Sequence, residues 1–349
     1  MSDAALPVVD VAPLVARRRA AARGSGVAPD RDFLAAAREI GAACRASGFF
    51  YAAGHGVDPE LERRLEDLAA EFFARSAERK LAIRMERGGR AWRGYFPVGG
   101  ELTSGKPDRK EGLYFGAELR PDDPRVRAGT PLHGPNLFPD DAPEWRAAVL
   151  GYIAQMTELG HAIVAGIGAS LGLPDSFFAE RYTRDPLVLF RIFHYPPRPD
   201  DGGWGVGEHT DYGLLSIVKQ DATGGLEVRV GARWIDAPPI AGAFVCNVGD
   251  MLDRMTAGRY RSTPHRVRVP RERGRLSFPF FFDPGFDAEV RPIELADGWV
   301  VPEDRAERWD GTSLRDLRGT YGDYLLGKVA RVFPALGRDV LDQAPSRAR

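Results

Sequence analysis

The sequence predicts a mainly β core that is surrounded by α-helices. From residue 185 onward, short β-rich runs alternate with Gly, Pro, Asp and Asn, which is typical of an all-β barrel or sandwich. On both sides of this region, apolar residues recur at helical spacing. We therefore expect one integrated unit of 349 residues, with a mostly helical region 1–184, a β core 185–287, and a tail with a closing helix 288–349.

The N-terminal region is interpreted element by element from its periodicity and its turn residues. Asp58 followed by Pro59 has the residue types of an N-cap and a first helical position. The Gly-rich segment 88–139 is too long for a simple connection, and we interpret it as functional. In order, we predict a strand over 7–10, a solvated basic insertion from 17 to 26, a helix over 32–47, a strand over 48–51, a helix from 59 onward and a helix over 143–172.

The β core is predicted from short β-branched and aromatic runs that turn residues separate. These runs cover residues 187–195, 214–219, 226–230, 244–248, 265–269 and 276–282. A further apolar periodic stretch predicts the closing helix over 313–333.

Composition limits the class of protein. A net charge of −1 gives no field that would attract nucleic acid or an anionic membrane. Two cysteines make neither a disulfide framework nor a cysteine-based zinc site, and they fit a reducing cytoplasm. We find no signal peptide and no run of 18 apolar residues. We expect a cytoplasmic protein, with a monomer favoured, that binds a small molecule.

A candidate metal centre begins with His209 and Asp211. Residues two apart on a strand point to the same side, so the imidazole and the carboxylate can meet one metal ion. His265, at the start of a later predicted strand, is the candidate third ligand. Two histidines and one carboxylate with open positions form the facial triad of non-haem Fe(II) oxygenases. Taken alone, a His-x-Asp pair is more often a surface pair on a strand.

A second pair, Arg275 and Ser277, follows ten residues after His265 and also points to one side of a strand. A guanidinium fork and a hydroxyl suit a carboxylate that is bound deep in a barrel. Together with this pair, the prediction of an iron site on His209, Asp211 and His265 is more specific than the His-x-Asp spacing alone.

The order of these motifs resembles the isopenicillin N synthase-like and plant-type 2-oxoglutarate oxygenase superfamily. Residues 6–10 resemble its first strand, and the run GFFYAAGHG at 48–56 resembles its "GFFxxxxHG" element. Similar matches occur at residues 195–197 ("YYPP"), 247–250 ("NxGD") and 262–266 ("S..HR"). These segments occur in the family's order and span nearly the whole chain.

The resemblance implies a double-stranded β-helix, the cupin-like jelly roll, with helices packed outside. It implies Fe(II) on His209, Asp211 and His265, with 2-oxoglutarate and O₂ as co-substrates and succinate as a product. It implies that Arg275 and Ser277 hold the distal carboxylate of 2-oxoglutarate, with Tyr195 nearby.

One short segment departs from the family's pattern. Plant-type members often have Asn-Tyr-Tyr where this chain has Phe193-His194-Tyr195, which removes a polar contact near the co-substrate. Arg191 is a candidate replacement, and the alternative is a strand arginine that is paired elsewhere.

The substrate pocket is most similar to that of a bacterial branch that includes ethylene-forming enzymes. In that branch, residues matching Glu101, Thr103, Tyr212 and Arg331 contact an amino acid. A glutamate can hold a cationic group and an arginine a carboxylate, which suits an amino acid with a basic side chain. Gly100 departs from that branch, which has a second Glu there. The alternative for Arg331 is an ion pair with a surface acid on the last helix, and the alternative for Glu101 is a solvated charge.

Three other functions stay open from the sequence. The first is an iron oxidase that needs no 2-oxoglutarate and uses the Arg-x-Ser pair for its substrate. The second is a zinc hydrolase, because two His and one Asp also suit zinc. The third is a non-catalytic ligand-binding barrel. The main prediction is a 2-oxoglutarate-dependent dioxygenase that oxidises a small molecule, with an amino acid as one candidate.

Overall fold

The structure is a computed structural model, and it describes residues 5–24, 28–103, 105–198, 203–295, 318–334 and 337–338. The strands are β1 (Val8–Asp10), β2 (Phe49–Ala53), β3 (Gly94–Phe96), β4 (Glu111–Gly116), β5 (Leu187–Tyr195), β6 (Trp204–His209), β7 (Leu215–Gln220), β8 (Leu226–Val230), β9 (Arg233–Asp236), β10 (Ala243–Val248), β11 (His265–Arg268) and β12 (Arg275–Asp283). The helices are α1 (Ala12–Ala22), α2 (Arg31–Ala46), α3 (Pro59–Phe73), α4 (Ala77–Leu81), α5 (Pro124–Arg127), α6 (Glu144–Ser170), α7 (Phe177–Arg181), α8 (Asp250–Met255) and α9 (Tyr321–Val332), with a 3-10 helix over Met85–Ala91.

Two sheets form the β core. The larger sheet has eight strands in the order β1-β2-β10-β7-β12-β5-β4-β3, and the smaller has four in the order β6-β11-β8-β9. All six predicted core strands are present to within two residues at each end. Strands β6 and β9 were not predicted. Strand β6 contains two glycines, which weaken the β signal in its sequence.

Helices α2, α3 and α6 form as their apolar stripes predict. Asp58 caps α3 by accepting a hydrogen bond from the Glu60 amide, and Pro59 is its first helical residue. Helices α1, α2 and α3 all pack against α6. The closing helix begins at Tyr321, with Thr320 as its N-cap, so residues 318–320 are not helical as we predicted. Residues 313–317 of the predicted range lie outside the described residues.

The basic stretch after residue 17 is not the solvated insertion that we predicted. Residues 17–22 belong to helix α1, which buries Leu14. Residues 25 and 26 of the predicted insertion lie outside the described residues. Arg17 pairs with Asp175 at 2.8 Å, and Arg18 pairs with Glu158 at 2.9 Å. The run of arginines predicted a solvent-exposed segment. The acidic partners of Arg17 and Arg18 could not be predicted locally, because they lie far along the chain.

The segment 88–139 contributes two strands that were also not predicted. All six residues of β4 are buried, so its sequence lacks the alternation of a half-exposed strand. Strand β4 pairs antiparallel with β5, with Gly112 opposite Phe193. A Cβ at Gly112 would lie 2.7 Å from the Phe193 ring, so glycine is required for this close approach. The N-terminal region therefore supplies four strands to the larger sheet as well as helices.

None of the helices in the described ranges is long and apolar enough to cross a membrane.

Candidate metal centre and co-substrate cavity

The three predicted metal ligands converge at one end of the smaller sheet. His209 is the last residue of β6 and pairs across the sheet with His265, the first residue of β11. Asp211 lies two residues beyond the end of β6, so it follows the strand instead of lying on it. The Asp211 Oδ1 atom is 3.7 Å from His265 Nε2 and 4.0 Å from His209 Nε2. All three ligand atoms lie within 4.8 Å of one another, which is close enough to hold one ion.

Backbone carbonyls orient both imidazole rings. Nδ1 of His209 lies 2.8 Å from the carbonyl oxygen of Gly207, and Nδ1 of His265 lies 3.2 Å from that of Thr263. Each Nδ1 therefore donates a proton, which leaves Nε2 as the metal-binding atom. Burial lowers the pKa of His209 to about 3, so its ring is the neutral form that binds metals.

The carboxylate of Asp211 is held from behind by two donors. Its Oδ2 atom accepts hydrogen bonds from Ser216 Oγ at 2.6 Å and from Asn247 Nδ2 at 2.7 Å. Oδ1 is thus turned toward the two histidines. Two imidazole nitrogens and one carboxylate oxygen, all on one side of the site, fit Fe(II) with open positions on the other side.

Replacing Asn247 by alanine is expected to lower Fe(II) affinity about 10- to 100-fold, because an outer partner of a ligating carboxylate is lost. Anaerobic Fe(II) titration measures the effect. Asn136→Ala is the control, because Asn136 is also buried but bonds to Gly116 and Glu118 away from the site. Unchanged iron affinity in Asn247→Ala would contradict the assigned role of this donor.

A cavity between the two sheets contains the metal centre. Its lining brings together ten of the eleven residues that we predicted for metal, co-substrate and substrate: His209, Asp211, His265, Arg275, Ser277, Tyr195, Arg191, Glu101, Thr103 and Tyr212. The remaining one, Arg331, is exposed on α9 and does not line the cavity. Its predicted contact with substrate gains no support from this placement.

Arg275 is a buried cation with an unused donor. Its Nε donates to the Gly224 carbonyl at 2.6 Å, and its Nη2 donates to Gln220 Oε1 at 3.1 Å. Within the described ranges, Nη1 has no hydrogen-bond partner and no carboxylate pairs with the guanidinium. A buried cation in this state requires an anion. Ser277 lines the same cavity two residues further along β12, so the pair fits a bound carboxylate.

Arg191 is a second cation on the cavity wall. It lies on β5 two residues before Phe193 and four before Tyr195, so all three side chains point to the same face of the strand. Its guanidinium carbon stacks 3.4 Å from the centroid of the Tyr114 ring. Across the described part of the chain, no carboxylate forms an ion pair with it. The alternative interpretation, in which Arg191 pairs with an acid elsewhere, is therefore not supported by the described residues.

Glu101 is buried in the cavity wall next to Tyr114 and Lys110. Its Oε1 accepts a hydrogen bond from the Tyr114 hydroxyl at 2.6 Å, and its Oε2 lies 2.8 Å from Lys110 Nζ. Although burial alone raises the pKa of Glu101, Lys110 and Arg191 outweigh burial and lower it, so the group is a carboxylate. The solvated alternative for Glu101 is wrong, since its exposed fraction is 8%.

Two cavity residues, Lys110 and Asp283, were missed by sequence reasoning. Lys110 is 1% exposed and lies within the segment that we interpreted as functional. Asp283 ends β12 and accepts a hydrogen bond from Tyr321, and burial raises its pKa to about 7. The sequence feature that could have indicated Lys110 is its position directly before the buried strand β4. For Asp283 it was a carboxyl directly after the aromatic run.

Comparison with known proteins decides the family. Residues 6–141 match the model described as non-haem dioxygenase in morphine synthesis N-terminal, and residues 184–284 match the 2OG-Fe(II) oxygenase superfamily. A probable iron/ascorbate oxidoreductase of Dictyostelium discoideum is 49% identical over 328 residues, which cover 87% of this chain and 90% of that protein. The chain belongs to the 2OG-Fe(II) oxygenase superfamily.

Two further relatives of this oxygenase carry more specific names. A 1-aminocyclopropane-1-carboxylate oxidase of Dictyostelium mucoroides is 37% identical, with 85% of this chain and 90% of the relative covered. A homoarginine-6-hydroxylase of Oryza sativa subsp. japonica is 35% identical, with 94% of this chain and 98% of the relative covered. All three relatives are eukaryotic, so they do not support the bacterial branch that we predicted.

A solved structure supports the same family. A full-length Neurospora crassa protein, crystallised in complex with α-ketoglutarate and thymine, superposes with a TM-score of 0.73 at 25% identity, over 93% of this chain and 96% of that one. The predicted double-stranded β-helix with surrounding helices is confirmed. As a member of its superfamily, this oxygenase uses Fe(II), 2-oxoglutarate and O₂ to oxidise a small molecule. The zinc hydrolase and the non-catalytic barrel are therefore set aside.

Proposed function

We propose that this oxygenase oxidises an amino acid with a cationic side chain. The proposal rests on one cavity whose wall contains the triad, the guanidinium of Arg275 and the carboxylate of Glu101. Nη1 of Arg275 has no hydrogen-bond partner among the described residues. Such a cavity offers one place for a metal ion, one for a dicarboxylate and one for a cation.

In this proposal, His209, Asp211 and His265 bind the iron. Arg275 and Ser277 bind the distal carboxylate of 2-oxoglutarate, and Tyr195 packs beside them, with its ring centroid 4.9 Å from the guanidinium carbon of Arg275. When bound, Fe(II) supplies the O₂-activating chemistry of the superfamily, in which 2-oxoglutarate is converted to succinate and carbon dioxide while the substrate is oxidised.

The neighbouring side chains hold these groups in place and keep water out. Phe49 packs edge-to-face against the His265 ring at a centroid distance of 5.4 Å. Arg191 is proposed to give a further contact to 2-oxoglutarate, since its cation faces the cavity from the same strand as Tyr195. We assign no side chain as a general base.

The substrate class rests on Glu101 and on the relatives. Glu101 is a buried carboxylate that pairs with Lys110 at 2.8 Å, and it keeps acceptor positions on the cavity side for a substrate cation. The names of two relatives, 1-aminocyclopropane-1-carboxylate oxidase and homoarginine-6-hydroxylase, both refer to amino acids. The resemblance of Glu101, Thr103 and Tyr212 to the pocket of ethylene-forming enzymes agrees with this. We do not include Arg331 in the proposed pocket.

We also propose a cytoplasmic monomer that binds neither nucleic acid nor membranes. A net charge of −1 and two buried free cysteines support this.

An anaerobic titration tests the proposed site. Protein loaded with Fe(II) receives 2-oxoglutarate, and the visible charge-transfer band of chelated 2-oxoglutarate is followed. L-homoarginine, L-arginine or L-lysine is then added, and a shift of the band reports binding near the iron. Admission of O₂ should then yield succinate and an oxidised amino acid together. A band that no basic amino acid shifts would contradict the substrate class but leave the co-substrate assignment intact.

Replacing Glu101 by glutamine is expected to raise the Kd of L-homoarginine about 10- to 150-fold, because a charge-assisted hydrogen bond is lost. L-homocitrulline, in which a neutral urea replaces the guanidinium, should lose less. Glu111→Gln is the matched control, since Glu111 is a buried glutamate that pairs with Lys80 at 2.7 Å and does not line the cavity. Equal losses for both amino acids would count against a cation at Glu101.

A further inference from the structure

A buried cluster of three charges lies behind the substrate end of the cavity. Lys110 Nζ is 2.8 Å from Glu101 Oε2 and 2.5 Å from Asp108 Oδ2. The exposed fractions of Lys110, Glu101 and Asp108 are 1%, 8% and 3%. Glu101 and Lys110 line the cavity, whereas Asp108 does not. The residue that completes the cluster is therefore out of reach of a substrate.

The cluster contains one more carboxylate than it has ammonium groups. If Lys110 met Glu101 alone, the two charges would cancel and the cavity wall would present a neutral pair. Asp108 also binds Lys110, and the same Asp108 oxygen accepts a hydrogen bond from Thr103. Burial and the nearby Glu101 raise the pKa of Asp108, whereas Lys110 and Thr103 favour its ionised form, because both donate to the same carboxylate oxygen. The three residues together therefore carry one net negative charge. Arg191, the other cation that lowers the pKa of Glu101, is the residue that we propose to contact 2-oxoglutarate.

The other polar groups around Glu101 leave it able to bind a ligand. The Tyr114 hydroxyl uses one acceptor position on Oε1. Oε2 lies 2.8 Å from Lys110 Nζ and has no hydrogen-bond partner among the described residues. Tyr212 and Arg191 line the same cavity, and Arg191 stacks on Tyr114 without forming an ion pair with Glu101. An ionised carboxylate has about four acceptor positions, so positions remain on Glu101 for a substrate cation.

We propose that Asp108, a residue that touches no substrate, sets the preference of this cavity for a cationic side chain by neutralising Lys110. Asp108 is thus a positioning residue that acts through Lys110, and Glu101 is the group that meets the substrate. This inference rests on the proposed function and deepens it, because it assigns the charge selectivity to a residue outside the pocket.

The test compares two ligands in three proteins. The Kd values of L-homoarginine and L-homocitrulline are measured at pH 8 from the shift of the 2-oxoglutarate charge-transfer band, in the absence of O₂. The wild type should bind the cationic ligand more tightly. In Asp108→Asn, Lys110 pairs with Glu101 alone, so the affinity for L-homoarginine should fall about tenfold or more. The affinity for L-homocitrulline should change less than about threefold.

The double variant K110M/D108N separates charge from structural damage. It removes one cation and one anion, so its cluster has the same net charge as the wild type, with Glu101 alone facing the cavity. The preference for L-homoarginine should return to within about threefold of the wild type. This variant keeps the test decisive if the single variant is unstable, and the intensity of the charge-transfer band verifies an intact metal centre in each protein.

Three results would overturn the inference. The first is an unchanged preference in D108N, and the second is a preference that K110M/D108N fails to restore. The third is equal weakening of both ligands, which would indicate a structural role only. A wild type that binds neither basic amino acid nor its neutral analogue would instead overturn the proposed substrate class, and the inference with it, before any variant is made.

Discussion

His265→Ala is expected to lose Fe(II) binding and turnover together. The substitution removes one of three ligand atoms that lie within 4.8 Å of one another. Loss of an outer partner of a ligand costs about 10- to 100-fold in metal affinity, so loss of the ligand itself should cost more than about 100-fold. Asp211→Ala should behave the same way, and it also leaves the donors Ser216 and Asn247 without their acceptor.

The measurement for this prediction is anaerobic Fe(II) titration, followed by a succinate assay. His133→Ala is the control, because His133 is buried to a similar degree but lies in the loop before α6 and contacts Phe286. The control should keep iron affinity and turnover near the wild-type values. Retained turnover in either ligand variant would exclude the proposed triad.

Arg275→Ala is expected to weaken 2-oxoglutarate binding by about 30-fold or more while iron affinity stays within about threefold. Truncating one partner of a buried, hydrogen-bonded charge pair typically costs about 2–5 kcal/mol. Arg275 is 1% exposed, and its Nη1 atom has no partner among the described residues. The co-substrate carboxylate is the anion that we propose for it.

The charge-transfer band measures this second prediction directly, because its dependence on 2-oxoglutarate concentration gives a dissociation constant. Arg229→Ala is a suitable control, since Arg229 lies on β8 and makes an exposed pair with Glu208. Equal loss of iron and 2-oxoglutarate binding would indicate misfolding. A wild-type protein that binds iron without forming the band would instead indicate an oxidase in which Arg275 holds the substrate.

Local sequence patterns determined the chemistry of the site to a large extent. Arg275 and Ser277 are two residues apart on β12, and this spacing keeps them on one side of the strand. The His209 and Asp211 spacing indicated the right ligands, although Asp211 follows β6 and does not lie on it. The apolar stripes of α2, α3 and α6 were equally local. These features could be predicted because a short stretch of backbone is enough to define them.

Only the tertiary structure decided which residues surround that site. Strand β4 inserts beside β5 and brings Lys110 against Glu101, and the end of β12 places Asp283 in the cavity wall. Arg331, which matched a family position, is exposed on α9 instead. The arginines of α1 find acidic partners far along the chain. Strand order and charge pairing depend on contacts between distant segments, and no local periodicity encodes such contacts.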